Sequence, residues 1–255
     1  MGRTKIVHNG RVIVVVPGPV ALDDALNAAG AAAMRHAVVG KLVSEGARVW
    51  FVAHDGAELE YFSATGLASG GCVIEAGDPS ALGGALDQAA GLTGEIHGIF
   101  VEAVSAPPVA ALIDTDDDVI DERIARSLAW MVTVARDGVR RLADGGALCL
   151  AVSPLGARPH AGHVCENIAS TSAIALAKTL ALEVADRRVS VTALCPGSAH
   201  SRVPVLLGPA LWSDQIGDVI TPAASEVASL ASFLLSPEAA FCTGGVFTMD
   251  GSRES

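Results

Sequence analysis

Side chains that can act as acids, nucleophiles or metal ligands crowd one short stretch of the sequence, which runs from Ser153 to Glu166. A glutamate is ordinarily ionised at pH 7 and donates no proton. Burial in an apolar pocket can raise its pKa until it does. Glu166 is therefore a candidate acid or base. Ser153 alone is weak evidence of chemistry, because serine is common where a strand ends.

The same stretch contains possible metal ligands, namely His160, His163, Cys165 and Glu166. Imidazole, thiolate and carboxylate all bind metals, but this spacing is not a recognised zinc pattern. Cys165 with His163 could form a nucleophile pair, yet neighbours in a loop rarely orient each other for it. We predict no metal site, and a solvated loop is the favoured interpretation.

Apolar runs alternate with helical segments along the chain. The runs that predict strands are Val12–Val16, Arg48–Ala53, Cys72–Glu75, His97–Val101, Ala147–Ser153, Val189–Leu194 and Gly245–Met249. The predicted helices are Ala31–Ser44, one opening at Ser80, one from the Asp114–Asp118 acid cluster toward Leu142, Asn167–Val184 and Ser225–Leu235. This alternation predicts an α/β fold with a doubly wound parallel sheet, as a single domain over residues 1–255.

Composition limits the classes of partner that this chain could bind and indicates its cellular compartment. The 255 residues carry a net charge of -11, with no basic patch, which argues against nucleic acid or an anionic membrane surface. No run approaches the ~20 apolar residues of a membrane span. The five cysteines are widely spaced and form no CxxC pair, so we expect reduced thiols in a cytoplasmic protein.

Three stretches carry a family resemblance: Ala175–Glu183, Val189–Gly197, and Phe233–Ala240 with the glycines that follow it. Together they resemble the short-chain dehydrogenase/reductase (SDR) family, and the likeness covers almost the whole chain. The resemblance implies a Rossmann-like fold, NAD(P)-dependent chemistry on a ketone or secondary alcohol, and assembly into dimers or tetramers. Fold alone does not give function.

The catalytic positions depart from the family. Its Tyr and Lys, four residues apart, fall at Glu166 and Ser170 of this chain. Its catalytic Ser, which hydrogen-bonds the substrate carbonyl, matches Ser153, thirteen residues before Glu166. The resemblance therefore makes Ser153 and Glu166 the candidate catalytic residues, without the charge that the family's Lys supplies.

The cofactor positions also depart from the family. The first strand ends at Gly18, but no GxxxGxG follows, and the segment Pro19 to Gly30 looks like an insertion. The family's Asn-Asn-Ala-Gly aligns with Val101–Val104, where only Ala103 survives, and its helix Asn aligns with Ser127. If a dinucleotide binds, the candidate cofactor-binding residues are Gly18, Arg35, Asp55, Pro196 and Gly197.

The leading hypothesis is a non-catalytic subunit that binds no cofactor itself and pairs with an active SDR paralogue, or with itself, through the two long helices. Such a pair would form a heteromeric hydroxyacyl or ketoacyl dehydrogenase. One alternative is an NAD(P)-dependent oxidoreductase that uses Ser153 and Glu166. Others are a dehydratase or isomerase with Glu166 as base, and a small-molecule sensor closed by the segment Pro209–Ile216.

Overall fold

The computed structural model describes residues 6–18, 25–76, 78–103, 110–157, 159, 161–196 and 223–249. Its strands are β1 Val12–Val16, β2 Arg48–Ala53, β3 Gly70–Val73, β4 Ile96–Glu102, β5 Leu142–Ala151, β6 Ser190–Pro196 and β7 Val246–Met249. Its α-helices are α1 Ala25–Ser44, α2 Gly56–Ala64, α3 Ser80–Thr93, α4 Asp117–Arg141, α5 Val164–Glu183 and α6 Ala224–Leu234. The predicted alternation of strands and helices is confirmed.

The seven strands form one parallel sheet in the order β3-β2-β1-β4-β5-β6-β7. Strand β1 is buried along its whole length and β4 at every residue except His97, as expected when helices cover both faces of a sheet. One apolar core contains residues of α3, α4 and α5, and the other contains residues of α1 and α6. The predicted doubly wound fold is thus confirmed, and its strand order reverses between β1 and β4.

Helix α1 begins earlier than the sequence predicts. We expected it at Ala31, but it begins at Ala25, inside the segment that looked like an insertion. The residues added at its start are rich in alanine and leucine, which favour helix. The glycine at position 30 lowers helix propensity but does not end the helix.

Helix α2 and strand β3 also differ from expectation. Asp55 caps α2, because its side chain accepts the N–H of Ala57. Strand β3 begins at Gly70 and ends at Val73, two residues earlier at each end than predicted. A Cβ at Gly71 would lie 2.2 Å from the carbonyl oxygen of Phe51, so only glycine fits beside β2 there.

None of the helices in the described ranges is long and apolar enough to cross a membrane.

Candidate functional site

The carboxyl ends of β1 and β4 meet at the point where the strand order reverses, which is where open α/β sheets bind ligands. Gly18 lies two residues beyond the end of β1, and Glu102 is the last residue of β4. The N–H of Gly18 donates to Glu102 Oε2 at 3.2 Å. The carbonyl oxygen of Gly18 accepts from His54 Nε2 at 2.6 Å. Both backbone groups of Gly18 are therefore already bound within the protein.

Arg35 lies between two carboxylates. Its Nη1 contacts Glu102 Oε2 at 2.7 Å, and its Nη2 contacts Glu58 Oε1 at 2.9 Å. Its Nε also donates to Glu58 Oε1, at 3.0 Å. The side chains of Arg35, Glu58 and Glu102 are only 12%, 17% and 9% exposed. This ion triad joins α1, α2 and β4 beneath the end of the sheet.

Burial affects the pKa values of two members of the triad, Glu102 and Arg35. It raises the pKa of Glu102 above its ordinary value, although Arg35 and the N–H of Gly18 act in the opposite direction. Burial would by itself lower the pKa of Arg35, but Glu102 and Glu58 together raise it. Arg35 thus stays charged, whereas at Glu102 the effect of burial on the pKa outweighs that of its two donors.

The described residues do not fit the pyrophosphate of a dinucleotide. A Rossmann site presents free backbone N–H groups to the phosphates. Here the N–H of Gly18 is bonded to a carboxylate, and the guanidinium of Arg35 is paired with two. The structure brings the predicted pair Gly18 and Arg35 into one network, but through Glu102, which the sequence did not single out as a site residue.

The other predicted cofactor-binding residues lie apart from this triad. Asp55 is exposed and holds the N–H of Ala57 at 2.9 Å as the cap of α2. Pro196 ends β6 and is buried. Gly197 lies outside the described residues, as do His160, the predicted lid Pro209–Ile216 and the tail from Asp250 to Ser255.

Ser153 follows β5 and caps a single 3-10 turn, Pro154–Gly156. Its Oγ accepts the N–H of Leu155 at 3.3 Å. A serine before a proline-led turn is a common local motif that needs no catalytic role. The hydroxyl hydrogen is still available to donate, so Ser153 remains the candidate that could bond a carbonyl oxygen.

Glu166 lies in the first turn of α5, with 11% of its side chain exposed. Its Oε2 lies 3.3 Å from Nδ1 of His163, the residue that precedes α5. The side chain of His163 is 8% exposed. The segment before α5 is therefore not a solvated loop at these two residues, and here the favoured interpretation from sequence was wrong. The signal missed was the three-residue spacing, which places both side chains on one face of the first turn.

Ser170 is wholly buried one turn further along α5. Gly156 packs so closely that a Cβ on it would lie 2.6 Å from Ser170 Cβ. Thr171, the next residue, bonds the carbonyl oxygen of Gly156 at 3.0 Å. The Pro154–Gly156 turn thus covers the point at which the family's lysine would leave the helix.

Across the described ranges, no three His, Cys, Asp or Glu side chains lie close enough together to hold a metal ion.

Comparison with known proteins decides the family. The family model described as "Enoyl-(Acyl carrier protein) reductase" matches residues 25–252, nearly the whole chain. The chain belongs to the short-chain dehydrogenase/reductase family. The family predicted from the three sequence stretches is thus confirmed, and with it membership of an oxidoreductase family.

Two curated SDR relatives show the range of similarity. Short-chain dehydrogenase/reductase ABA4 of Pyricularia oryzae is 29% identical over 179 residues, which are 66% of this chain and 63% of that protein. The chain therefore spans less than two thirds of that relative's length. The 3-oxoacyl-[acyl-carrier-protein] reductase FabG of Salmonella typhimurium is 27% identical over 84% of this chain and 90% of its own.

Solved SDR structures share the fold. A double mutant of a Serratia marcescens SDR superposes with a TM-score of 0.80 at 21% identity, covering 97% of this chain and 99% of its own. A Burkholderia cenocepacia SDR in complex with NADP gives 0.71 at 21% identity, covering 98% of each chain. A Pseudomonas aeruginosa oxidoreductase described as having an atypical catalytic centre gives 0.75 at 20% identity, covering 96% and 97%.

Proposed function

We propose that this chain is a non-catalytic SDR subunit that pairs with an active SDR and supports it, binding no nicotinamide cofactor itself. The observation that carries the proposal is Ser170. Family chemistry needs a cation four residues after the acid, to lower the acid's pKa and hold the ribose. Here that position is a buried hydroxyl, and Gly156 of the Pro154–Gly156 turn packs directly against it.

The charged residues at the carboxyl ends of β1 and β4, where a dinucleotide would bind, support the same proposal. Glu102 and Glu58 surround Arg35, so the charge nearest to a bound pyrophosphate would be repulsive. The catalytic and cofactor positions lie on different elements, yet both depart from the family. Loss of selection on chemistry, with selection on folding retained, explains both departures together.

Exposed apolar side chains on the two long helices support the pairing. Val132 on α4 is 47% exposed, while Ile168 and Leu182 on α5 are 39% and 80% exposed. Apolar side chains on an otherwise polar helix face favour burial by another chain. We propose that an active paralogue, or a second copy of this chain, covers this face. Hydroxyacyl or ketoacyl dehydrogenases are the proposed class of complex, because the relatives include a 3-oxoacyl reductase.

We place this assembly in the cytoplasm. All five cysteines are free thiols, and Cys149 and Cys195 are buried in the sheet. Burial raises the pKa of Cys149 to about 12, so this thiol is inert.

The proposal is tested by co-expression with the SDR enzymes encoded beside it, followed by light scattering on the purified species. We expect a complex that contains both chains, whose dehydrogenase activity is lost when the active subunit's tyrosine is replaced. Leu182→Glu on α5 should weaken the complex at least tenfold. Leu92→Glu on α3, where Leu92 is 73% exposed, is the matched control and should leave it intact.

Cofactor titration is the second test. Thermal stability should not change with NADH or NADPH up to millimolar concentration. Saturable binding of either nucleotide to this chain alone, or ketone reduction by it, would overturn the proposal.

The pairing of His163 with Glu166 favours one alternative, an oxidoreductase with a rearranged acid–base pair. An imidazole beside a carboxylate can hold and deliver a proton near neutral pH. In that case Glu166→Gln and His163→Phe would each abolish turnover by the isolated chain, while Ser172→Ala on the exposed side of α5 would not.

A further inference from the structure

A buried carboxylate, Glu102, binds the backbone N–H that follows β1 and the guanidinium of Arg35. Glu102 Oε2 accepts from the N–H of Gly18 at 3.2 Å and from Arg35 at 2.7 Å. A backbone N–H and a guanidinium that converge on one oxygen are the donors of which phosphate sites are made. We propose that Gly18 and Arg35 form a latent phosphate site and that Glu102 closes it as an internal ligand.

The ion pair between Arg35 and Glu102 is mostly buried and is not a surface contact. Arg35 and Glu102 are 12% and 9% exposed at their side chains, so water screens their attraction far less than it would at a surface. The two residues are 67 positions apart and meet only because α1 packs over the end of β4. Removing one partner of such a pair leaves the other charge buried and unpaired. That loss destabilises the folded protein, so the folded state favours the closed pair.

The second oxygen of Glu102 points to the same conclusion. Within the described part of the chain, Oε1 is buried and has no hydrogen-bond partner. Burial accordingly raises the pKa of this carboxyl group. A residue retained only for stability would have both oxygens satisfied. Glu102 is instead held by donors suited to an anion, as a phosphate oxygen would be.

Glu58 adds a second negative charge beside Arg35, and this charge opposes the binding of an external anion there. One guanidinium and two carboxylates leave the triad with a net charge of one negative unit. With Glu102 in place the triad therefore repels an anion, whereas without Glu102 the repulsion is gone and the N–H of Gly18 and one side of Arg35 are free to donate. Glu58 bonds Arg35 but not Gly18, whereas Glu102 bonds both, so the two carboxylates can be separated by mutation.

The probe is inorganic pyrophosphate, followed by thermal unfolding and calorimetric titration. Glu102→Ala frees the N–H of Gly18 and one face of Arg35. We expect pyrophosphate to raise the Tm of this variant by about 3 °C or more at tenfold excess over its Kd. Wild type should not respond. Glu58→Gln is the matched control, since Glu102 stays in place, and it should not respond either.

Two further variants keep the test decisive. Adding Arg35→Ala to Glu102→Ala must abolish the gained binding. If Glu102→Ala does not fold, Glu102→Ser takes its place, because its side chain is also too short to close the site, and it must then bind pyrophosphate. A folded Glu102 variant without any response would refute the internal ligand.

The internal ligand rests on the proposed absence of cofactor binding, but different results would refute each of these two proposals. Binding of NADH by wild type would overturn both. Unresponsive Glu102 variants beside an unresponsive wild type would overturn the internal ligand alone.

Discussion

Ser170 stands where the family's lysine is expected, inside a fold that is otherwise that of the family. Its side chain is fully buried, and in the described structure its hydroxyl has no hydrogen-bond partner. An alanine would fill almost the same volume. In the described structure, packing is therefore what this side chain contributes.

At the residue scale we predict that Ser170→Ala stabilises the protein. The change removes a buried unsatisfied hydroxyl and improves helix propensity, together worth about 0.5–1.5 kcal/mol. The Tm measured by circular dichroism should rise by roughly 2–4 °C. Ser172→Ala is the control, because the hydroxyl of Ser172 donates to the carbonyl of Ile168 and its loss should give a smaller change. A lower Tm for Ser170→Ala would mean that its hydroxyl has a functional partner.

At the element scale, the packing of the Pro154–Gly156 turn on α5 sets the geometry of the whole candidate site. A Cβ on Gly156 would lie 2.6 Å from Ser170 Cβ and 2.7 Å from the Ser170 backbone carbon. Because helix backbone cannot yield as a side-chain tip can, the turn would have to move. Ser153, which caps it, would move as well.

We therefore predict that Gly156→Ala destabilises the protein by about 1–3 kcal/mol in urea unfolding. Gly84→Ala in α3 is the matched control. A Cβ there meets nothing within 4 Å, so we expect this change to stabilise by about 0.5–1 kcal/mol. Equal effects of the two substitutions would show that the turn does not hold α5.

The elements differ in how far the sequence could predict them. Strand β1 was predictable because five consecutive buried residues are β-branched, so the pattern and the burial agree. The start of α1 was not, because glycine and the acidic residues before Ala25 read as loop. The ion triad could not be predicted from local sequence patterns. Arg35 is 23 residues from Glu58 and 67 from Glu102, and only the packing of α1 brings them together.

At the scale of the whole molecule, a buried network ties the N-terminal segment to α1 and α6. Nε2 of His8 lies 2.9 Å from Ser232 Oγ, and Ser232 also bonds Glu45, which pairs with Lys41 at 2.8 Å. A carboxylate only accepts, so Ser232 donates to Glu45 and accepts from Nε2 of His8. Nδ1 of His8 is buried with no partner among the described residues, which favours the neutral ring with its proton on Nε2.

Acid should loosen this network. Burial lowers the pKa of His8, against the attraction of Glu45 and with the repulsion of Arg11. The unfolded chain therefore takes up the proton first, near its ordinary pKa of 6.5. The stability that neutral His8 contributes is complete above that pH and is lost as the pH falls below it, by up to about 1 kcal/mol at pH 5.5.

We predict that lowering the pH from 7.5 to 5.5 reduces the Tm of wild type by about 2–4 °C more than that of His8→Gln. Glutamine can still donate to Ser232 but does not titrate. Burial also lowers the pKa values of His36 and His97, but both are present in the two proteins and cancel in the difference. Parallel pH profiles for wild type and variant would show that the pKa of His8 does not differ between the folded and unfolded protein. A Tm of wild type that falls less than that of the variant would show that His8 is charged in the folded protein, as an ion pair with Glu45.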